Sequence, residues 1–158
     1  MNRRIILVNT NMMKPLVAPV GLDYIAEAAA AEGFEPVLAD LALSDDPEKL
    51  LEEVCGKTEP VVVGVGLRNT DDCYMATGES FVPRVKRVVE KIKSLSDAPV
   101  VLGGVGYSVS PRSALEAVGA DYGIRGDGER TLCELARRLA GGESPGGIPG
   151  LVYRSGGR

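Results

Sequence analysis

A chain of 158 residues, 44% hydrophobic and 25% charged, is long enough to bury one core and has the balance of an ordinary globular domain. Its net charge of −4 and 4% aromatic content, with no tryptophan, argue against a nucleic-acid partner, and no apolar run is long enough to predict a membrane span. The chain has no histidine, so imidazole is excluded from acid–base catalysis, nucleophile activation and metal ligation by this chain; Cys55, Cys73 and Cys133 are too dispersed for a metal cluster or a disulfide framework.

The N-terminus is basic and then apolar only through Ile5-Ile6-Leu7-Val8, too short for a secretory signal and right for a buried first strand; a cytoplasmic protein is expected. A polar loop, Asn9-Thr10-Asn11, leads to Pro19, which opens a helix with Leu22, Ile25, Ala26 and Ala29 inward and Gly33 as its stop. Pro36-Val37-Leu38-Ala39 reads as an edge strand ending at Asp40, because a proline lacks the ladder donor. Ser44-Asp45-Asp46-Pro47 starts the second helix, with Leu50, Leu51 and Val54 inward. Pro60-Val61-Val62-Val63-Gly64-Val65-Gly66 is a β-branched central strand. The polar segment 67–79 that follows exceeds the usual connection of about 2–6 residues, which points to a functional loop.

A third helix starts near residues 80–83 and buries Val85, Val88, Val89, Ile92 and Leu95. Val100-Val101-Leu102 is a fourth strand that runs into Gly103-Gly104-Val105-Gly106-Tyr107. Ser110-Pro111 starts a fourth helix over Ala114, Leu115 and Val118, and Ala120-Asp121-Tyr122-Gly123-Ile124 is a weak fifth strand. Arg125-Gly126-Asp127-Gly128-Glu129 leads into a fifth helix with Leu132, Leu135, Ala136 and Leu139, ending at Gly141-Gly142. Residues 148–153 look like a last strand, and residues 154–158 trail off. Alternating strands and helices predict an α/β fold, a Rossmann-like or flavodoxin-like five-stranded parallel sheet in the order 2-1-3-4-5 with helices on both faces. Residues 1–143 are expected to form the domain and residues 144–158 a linker.

Ligands of such sheets sit beyond the carboxyl ends of the strands, at the switch point formed here by Asn9-Thr10-Asn11 and Gly66-Leu67-Arg68, with the glycine turn next door. Gly103, Gly104 and Gly106 suit either a tight turn or close approach of backbone to a ligand. The standard dinucleotide and phosphate fingerprints are missing, and a phosphoacceptor site would need carboxylates where Asn9 and Leu67-Arg68 stand. Asp71 and Asp72 read as a solvated loop or a cap in preference to a metal site. Arg68 either binds an anion or a flat ligand, or pairs with Asp71, Asp72 or Asp127. Asp127 either caps the fifth helix or hydrogen-bonds a ligand there.

The order and spacing of Ile6-Leu7-Val8-Asn9, Pro19-Val20-Gly21-Leu22-Asp23-Tyr24-Ile25-Ala26, Ala98-Pro99-Val100-Val101-Leu102-Gly103-Gly104, Arg125-Gly126-Asp127-Gly128-Glu129 and Ile148-Pro149-Gly150-Leu151 resemble the N-terminal cobalamin-binding domain of cobalamin-dependent radical-SAM enzymes. The resemblance implies a corrinoid clasped over the carboxyl edge, its dimethylbenzimidazole tail beside the glycine-rich strand end. The residues it places there are Asn9, Thr10, Asn11, Gly66, Leu67, Arg68, Asn69, Thr70, Gly103, Gly104, Val105, Gly106, Tyr107, Arg125, Gly126, Asp127, Gly128 and Glu129. Replacing Gly104 by valine is expected to block the groove and leave the fold intact.

Two departures matter. The DxHxxG loop of methionine-synthase-type domains, whose histidine ligates cobalt, is replaced by Asn9-Thr10-Asn11, which implies a base-off corrinoid without a histidine ligand. Arg68 and Asn69 are expected nearest the lower face, where a cation would disfavour a further donor. The CxxxCxxC of the radical-SAM half is not in this sequence, so S-adenosylmethionine and a 4Fe-4S cluster are expected only in a C-terminal partner domain of a parent, a methyltransferase or related radical enzyme. This chain by itself is expected to bind and not to catalyse. The alternatives are a ligand-free scaffold or interaction domain of the same fold, and a flavodoxin-like nucleotide- or flavin-binding domain.

Overall fold

The computed structural model describes residues 3–153; the expectation for residues 154–158 lies outside them. The strands are β1 (Arg4–Asn9), β2 (Glu35–Asp40), β3 (Val62–Gly66), β4 (Val100–Gly103), β5 (Tyr122–Ile124) and β6 (Leu151–Tyr153). The helices are α1 (Val20–Ala31), α2 (Pro47–Cys55), α3 (Val82–Leu95), α4 (Val105–Val109), α5 (Pro111–Val118) and α6 (Glu129–Ala140). The strands form one sheet in the order β2-β1-β3-β4-β5-β6.

The first five strands are parallel and take the expected order. The expectation of five strands, all parallel, is corrected by β6, which pairs antiparallel with β5, Tyr122 opposite Tyr153. Parallel neighbours need a long crossover, but a short excursion after α6 brings the chain back along the sheet edge in the opposite direction. The Thr131 hydroxyl donates to Pro149 O at 3.0 Å and Arg125 N–H donates to Gly150 O at 2.9 Å, which hold that return in place.

Alternation along the buried strands sorts the core into two layers. Ile6, Val8, Val63, Val65, Val100 and Leu102 pack with Leu51, Val85, Val89, Ile92 and Leu115 on the α2, α3 and α5 side. Ile5, Leu7, Val62 and Val101 pack with Ala29, Leu132, Leu135 and Ala136 of α1 and α6. Each fully buried aliphatic side chain contributes about 1.5–3 kcal/mol from removal of apolar surface from water. Cys55 and Cys133 are buried apolar residues, as their helical patterns indicate, and burial pushes the Cys55 thiol up to about 11. No helix among the described residues is long and apolar enough to cross a membrane.

Local signals account for the helix starts. Asp46 accepts from Lys49 N–H at 3.1 Å with Pro47 in the first turn of α2, and Pro19 precedes α1. The unexpected element is α4, the single turn Val-Gly-Tyr-Ser-Val, where the sequence reads only as a glycine turn. It converts the exit of β4 into a small platform on the carboxyl edge.

Candidate functional site

The ends of four strands lie side by side. Asp40 pairs with Asn9, Asn9 with Gly66, and Gly66 with Gly103, so the expected switch point and the glycine turn share one row. Side chains stitch this row together. Asn9 Nδ2 donates to Asp40 Oδ1 at 2.8 Å, and the Thr10 hydroxyl donates to Gly66 O at 2.6 Å. Asn11 N–H donates to Asn9 Oδ1 at 3.1 Å. Asn9 and Thr10 are buried, so these groups brace the edge from within, whereas Asn11 is partly open.

The 67–69 segment is clamped to β4 and α4 by backbone. Leu67 N–H donates to Gly103 O at 2.7 Å, Gly106 N–H to Arg68 O at 2.8 Å, and Tyr107 N–H to Leu67 O at 3.2 Å. That closeness is why Gly104 and Gly106 carry no side chain. A β-carbon on Gly104 would lie 2.7 Å from Leu67 O, and one on Gly106 would lie 2.9 Å from Arg68 O. Gly104 also has φ 106°, which side chains rarely adopt. The expectation that Gly104→Val would leave the fold intact is therefore corrected: the chain's own backbone occupies the space in front of Gly104. Gly103 differs, because the nearest atom to a β-carbon there is Ile124 O at 4.0 Å.

Tyr107, named above among the edge residues, is placed otherwise. Its ring is wholly buried in the core, running past Gly123, where a β-carbon would collide with the phenol. Among the described residues its hydroxyl has no hydrogen-bond partner, and burial pushes it up to about 12.

Arg68 is exposed, and among the described residues no salt bridge joins it to Asp71, Asp72 or Asp127, which removes the ion-pair reading. With Thr10, Asn11, Met12, Asn69 and Arg84 it lines a small crevice between the loops after β1 and β3. Asn69 Nδ2 contacts Met13 Sδ at 2.8 Å, which joins the same two loops. Asp71 and Asp72 cap turns, as their loop reading predicts. Asp71 accepts from Cys73 N–H at 2.9 Å; Asp72 accepts from Tyr74 N–H at 3.1 Å and from the Thr77 hydroxyl. The Thr77 and Tyr74 donors hold the Asp72 carboxyl below its ordinary range. Thr70 O accepts from Phe81 N–H at 2.8 Å and closes the base of this finger, while residues 73–80 are exposed, so only the 67–69 part of the long loop packs on the edge.

Beyond β5, Arg125, Gly126 and Asp127 are exposed, with Gly128 and Glu129 partly so. The helix-cap reading of Asp127 is corrected: Gly128 occupies the N-cap of α6 and no side chain caps it. Gly126 N–H instead donates to Ser108 Oγ at 3.0 Å. Ser108 is a residue that the sequence reading passed over, because the neighbouring Ser110-Pro111 carries the stronger helix-start signal.

Exposed apolar side chains gather on the same edge: Met12, Leu16, Val17 and Val20 after β1, Leu43 after β2, Tyr74 and Met75 after β3, and Val105 and Val109 after β4. Such a collar around bare backbone and an exposed arginine suits a large, flat ligand with polar margins. No group of residues able to hold a metal ion by themselves occurs among those described.

The B12 binding domain model matches residues 6–136. A tryptophan 2-C-methyltransferase from Streptomyces laurentii is 40% identical over 153 residues, 95% of this chain and 26% of that protein. An uncharacterised methyltransferase from Pyrococcus horikoshii is 28% identical over 145 residues, 89% of this chain and 28% of that protein. The radical S-adenosylmethionine methyltransferase TsrM from Kitasatospora setae, solved with cobalamin and a [4Fe-4S] cluster, superposes with a TM-score of 0.94 at 40% identity, over 99% of this chain and 28% of that one. The chain thus spans about a quarter of the length of these relatives.

Proposed function

The chain belongs to the B12-binding domain family, and from that premise we propose that it holds cobalamin over the carboxyl edge as the cofactor-carrying part of a longer radical S-adenosylmethionine methyltransferase. The observation that carries this reading is the edge itself: bare backbone at Gly103, an exposed Arg68 with no ion pair among the described residues, and apolar residues exposed after β1, β2, β3 and β4. The residues present fit a corrinoid. Asn11, Arg68 and Asn69 would lie under the macrocycle, and Gly103, Val105 and the 125–129 segment would receive the nucleotide tail. When bound, cobalamin supplies methyl-carrying chemistry; the protein's part is to orient it and to control its axial face.

With no histidine in the sequence, this chain offers no imidazole to cobalt, and Arg68 would place a fixed cation where a donor would otherwise stand. S-adenosylmethionine and the iron–sulfur cluster are assigned to the remainder of the parent protein. Titration with hydroxocobalamin, followed by absorbance, tests the reading. Saturable binding with a shifted corrinoid spectrum is expected; a spectrum unchanged at any protein concentration would remove it. Arg68→Ala should alter the bound spectrum or weaken binding while stability stays within about 0.5 kcal/mol of wild type, the usual range for an exposed side chain. An identical spectrum and affinity would take Arg68 out of the site.

A further inference from the structure

We propose that Ser108 is a positioning residue for the nucleotide tail: it fixes the exits of β4 and β5 at the separation which that tail requires. This rests on the corrinoid reading above. The Ser108 hydroxyl donates to Gly104 O at 3.0 Å and accepts from Gly126 N–H at 3.0 Å. Both partners are glycines in left-handed backbone, φ 106° at Gly104 and 84° at Gly126. Glycine has no strong preference for that conformation, so something outside each residue must hold it. Beyond the strand ladder, the Ser108–Gly126 bond is the one hydrogen bond that joins the two exits among the described residues.

The slot so proposed lies between the two exits that Ser108 joins. Gly103 lies at its base, with Ile124 O as the nearest neighbour of its missing side chain. A tail seated between the two exits would meet bare backbone at Gly103 and at Gly126, where a β-carbon has nothing within 4 Å. Val105 and Val109, four residues apart on one face of α4 and 75% and 74% exposed, give the apolar wall that a benzimidazole would lie against. Removing the hydroxyl releases Gly126 N–H and lets the 125–128 segment move away from α4. The cost falls on whatever occupies the slot and spares what rests on the collar.

The test compares hydroxocobalamin with diaquocobinamide, the same corrin without a nucleotide tail, on wild type, Ser108→Ala and Ser108→Thr. Ser108→Ala should weaken cobalamin binding about tenfold, about 1.4 kcal/mol, and leave cobinamide within about twofold of wild type. Ser108→Thr, which keeps the hydroxyl, should restore cobalamin binding. A general packing defect would weaken both corrinoids together and lower the melting temperature, and that result overturns the proposal. Equal cobalamin affinity in wild type and Ser108→Ala also overturns it. Wild type that binds neither corrinoid would defeat the underlying reading, and this inference with it.

Discussion

Two pairs of glycines share the carboxyl edge and serve opposite ends. Gly104 and Gly106 give their space to the protein: Leu67 O and Arg68 O fill it, and backbone bonds lock the loop after β3 against α4. Gly103 and Gly126 keep their space open, with nothing within 4 Å of a β-carbon at Gly126 and only Ile124 O at that limit for Gly103. One pair therefore builds the platform, and the other leaves bare backbone beside it. A glycine at a strand end marks a close approach, but the approaching group is identified only when the neighbouring loop is in place.

Matched substitutions break or sharpen this contrast. Gly104→Val should have the largest effect. It combines a left-handed backbone angle with a clash against main chain, and a loss of about 3 kcal/mol or more is expected in urea denaturation. A denaturation midpoint equal to wild type would mean that the 67–69 segment yields easily. Gly103→Val places the same side chain one residue earlier, at a strand end where its β-carbon meets only Ile124 O, at 4.0 Å, and a β-branched residue is at home. Its stability should stay within about 0.5 kcal/mol of wild type, and its whole effect should appear in corrinoid binding.

The smallest effect belongs to Tyr107, which shares the glycine turn but faces the core. Tyr107→Phe removes a buried hydroxyl without a partner and should be neutral or stabilising by up to about 1 kcal/mol. The phenol is held up at about 12, above its ordinary value of 10.0, so its protonated form is favoured by folding. That contribution is complete below pH 10 and fades as pH rises toward 12. Cys55, raised from 9.0 to about 11, fades over an overlapping range. Denaturation series on wild type and Tyr107→Phe separate the two: the variant should lose less stability between pH 10 and pH 12, and parallel curves would refute the assignment to Tyr107.

These cases show how far the sequence could be read. The runs Ile5-Ile6-Leu7-Val8, Val62-Val63 and Val100-Val101-Leu102 identified the buried strands because β-branched and aliphatic residues suit a strand covered on both faces. The order of the first five strands followed from the alternation of elements. β6 was seen as a strand but not as an antiparallel neighbour of β5, since three residues carry no directional signal. α4 stayed hidden because glycine and β-branched valines are poor helix formers, and the turn is fixed by contacts with residues 67–69. Within the candidate site, the glycines and Arg68 stand out in the sequence by their place after central strands. The partner of Gly126 was not, because its bond to Ser108 joins segments 18 residues apart.

Whether the open half of this edge receives a corrinoid is tested most directly by a hydroxocobalamin titration of Gly103→Val beside wild type. Saturable binding by wild type is expected, and binding weakened at least about tenfold in a variant with an unchanged denaturation curve. Equal affinity in the two proteins, or no binding by wild type, would contradict it.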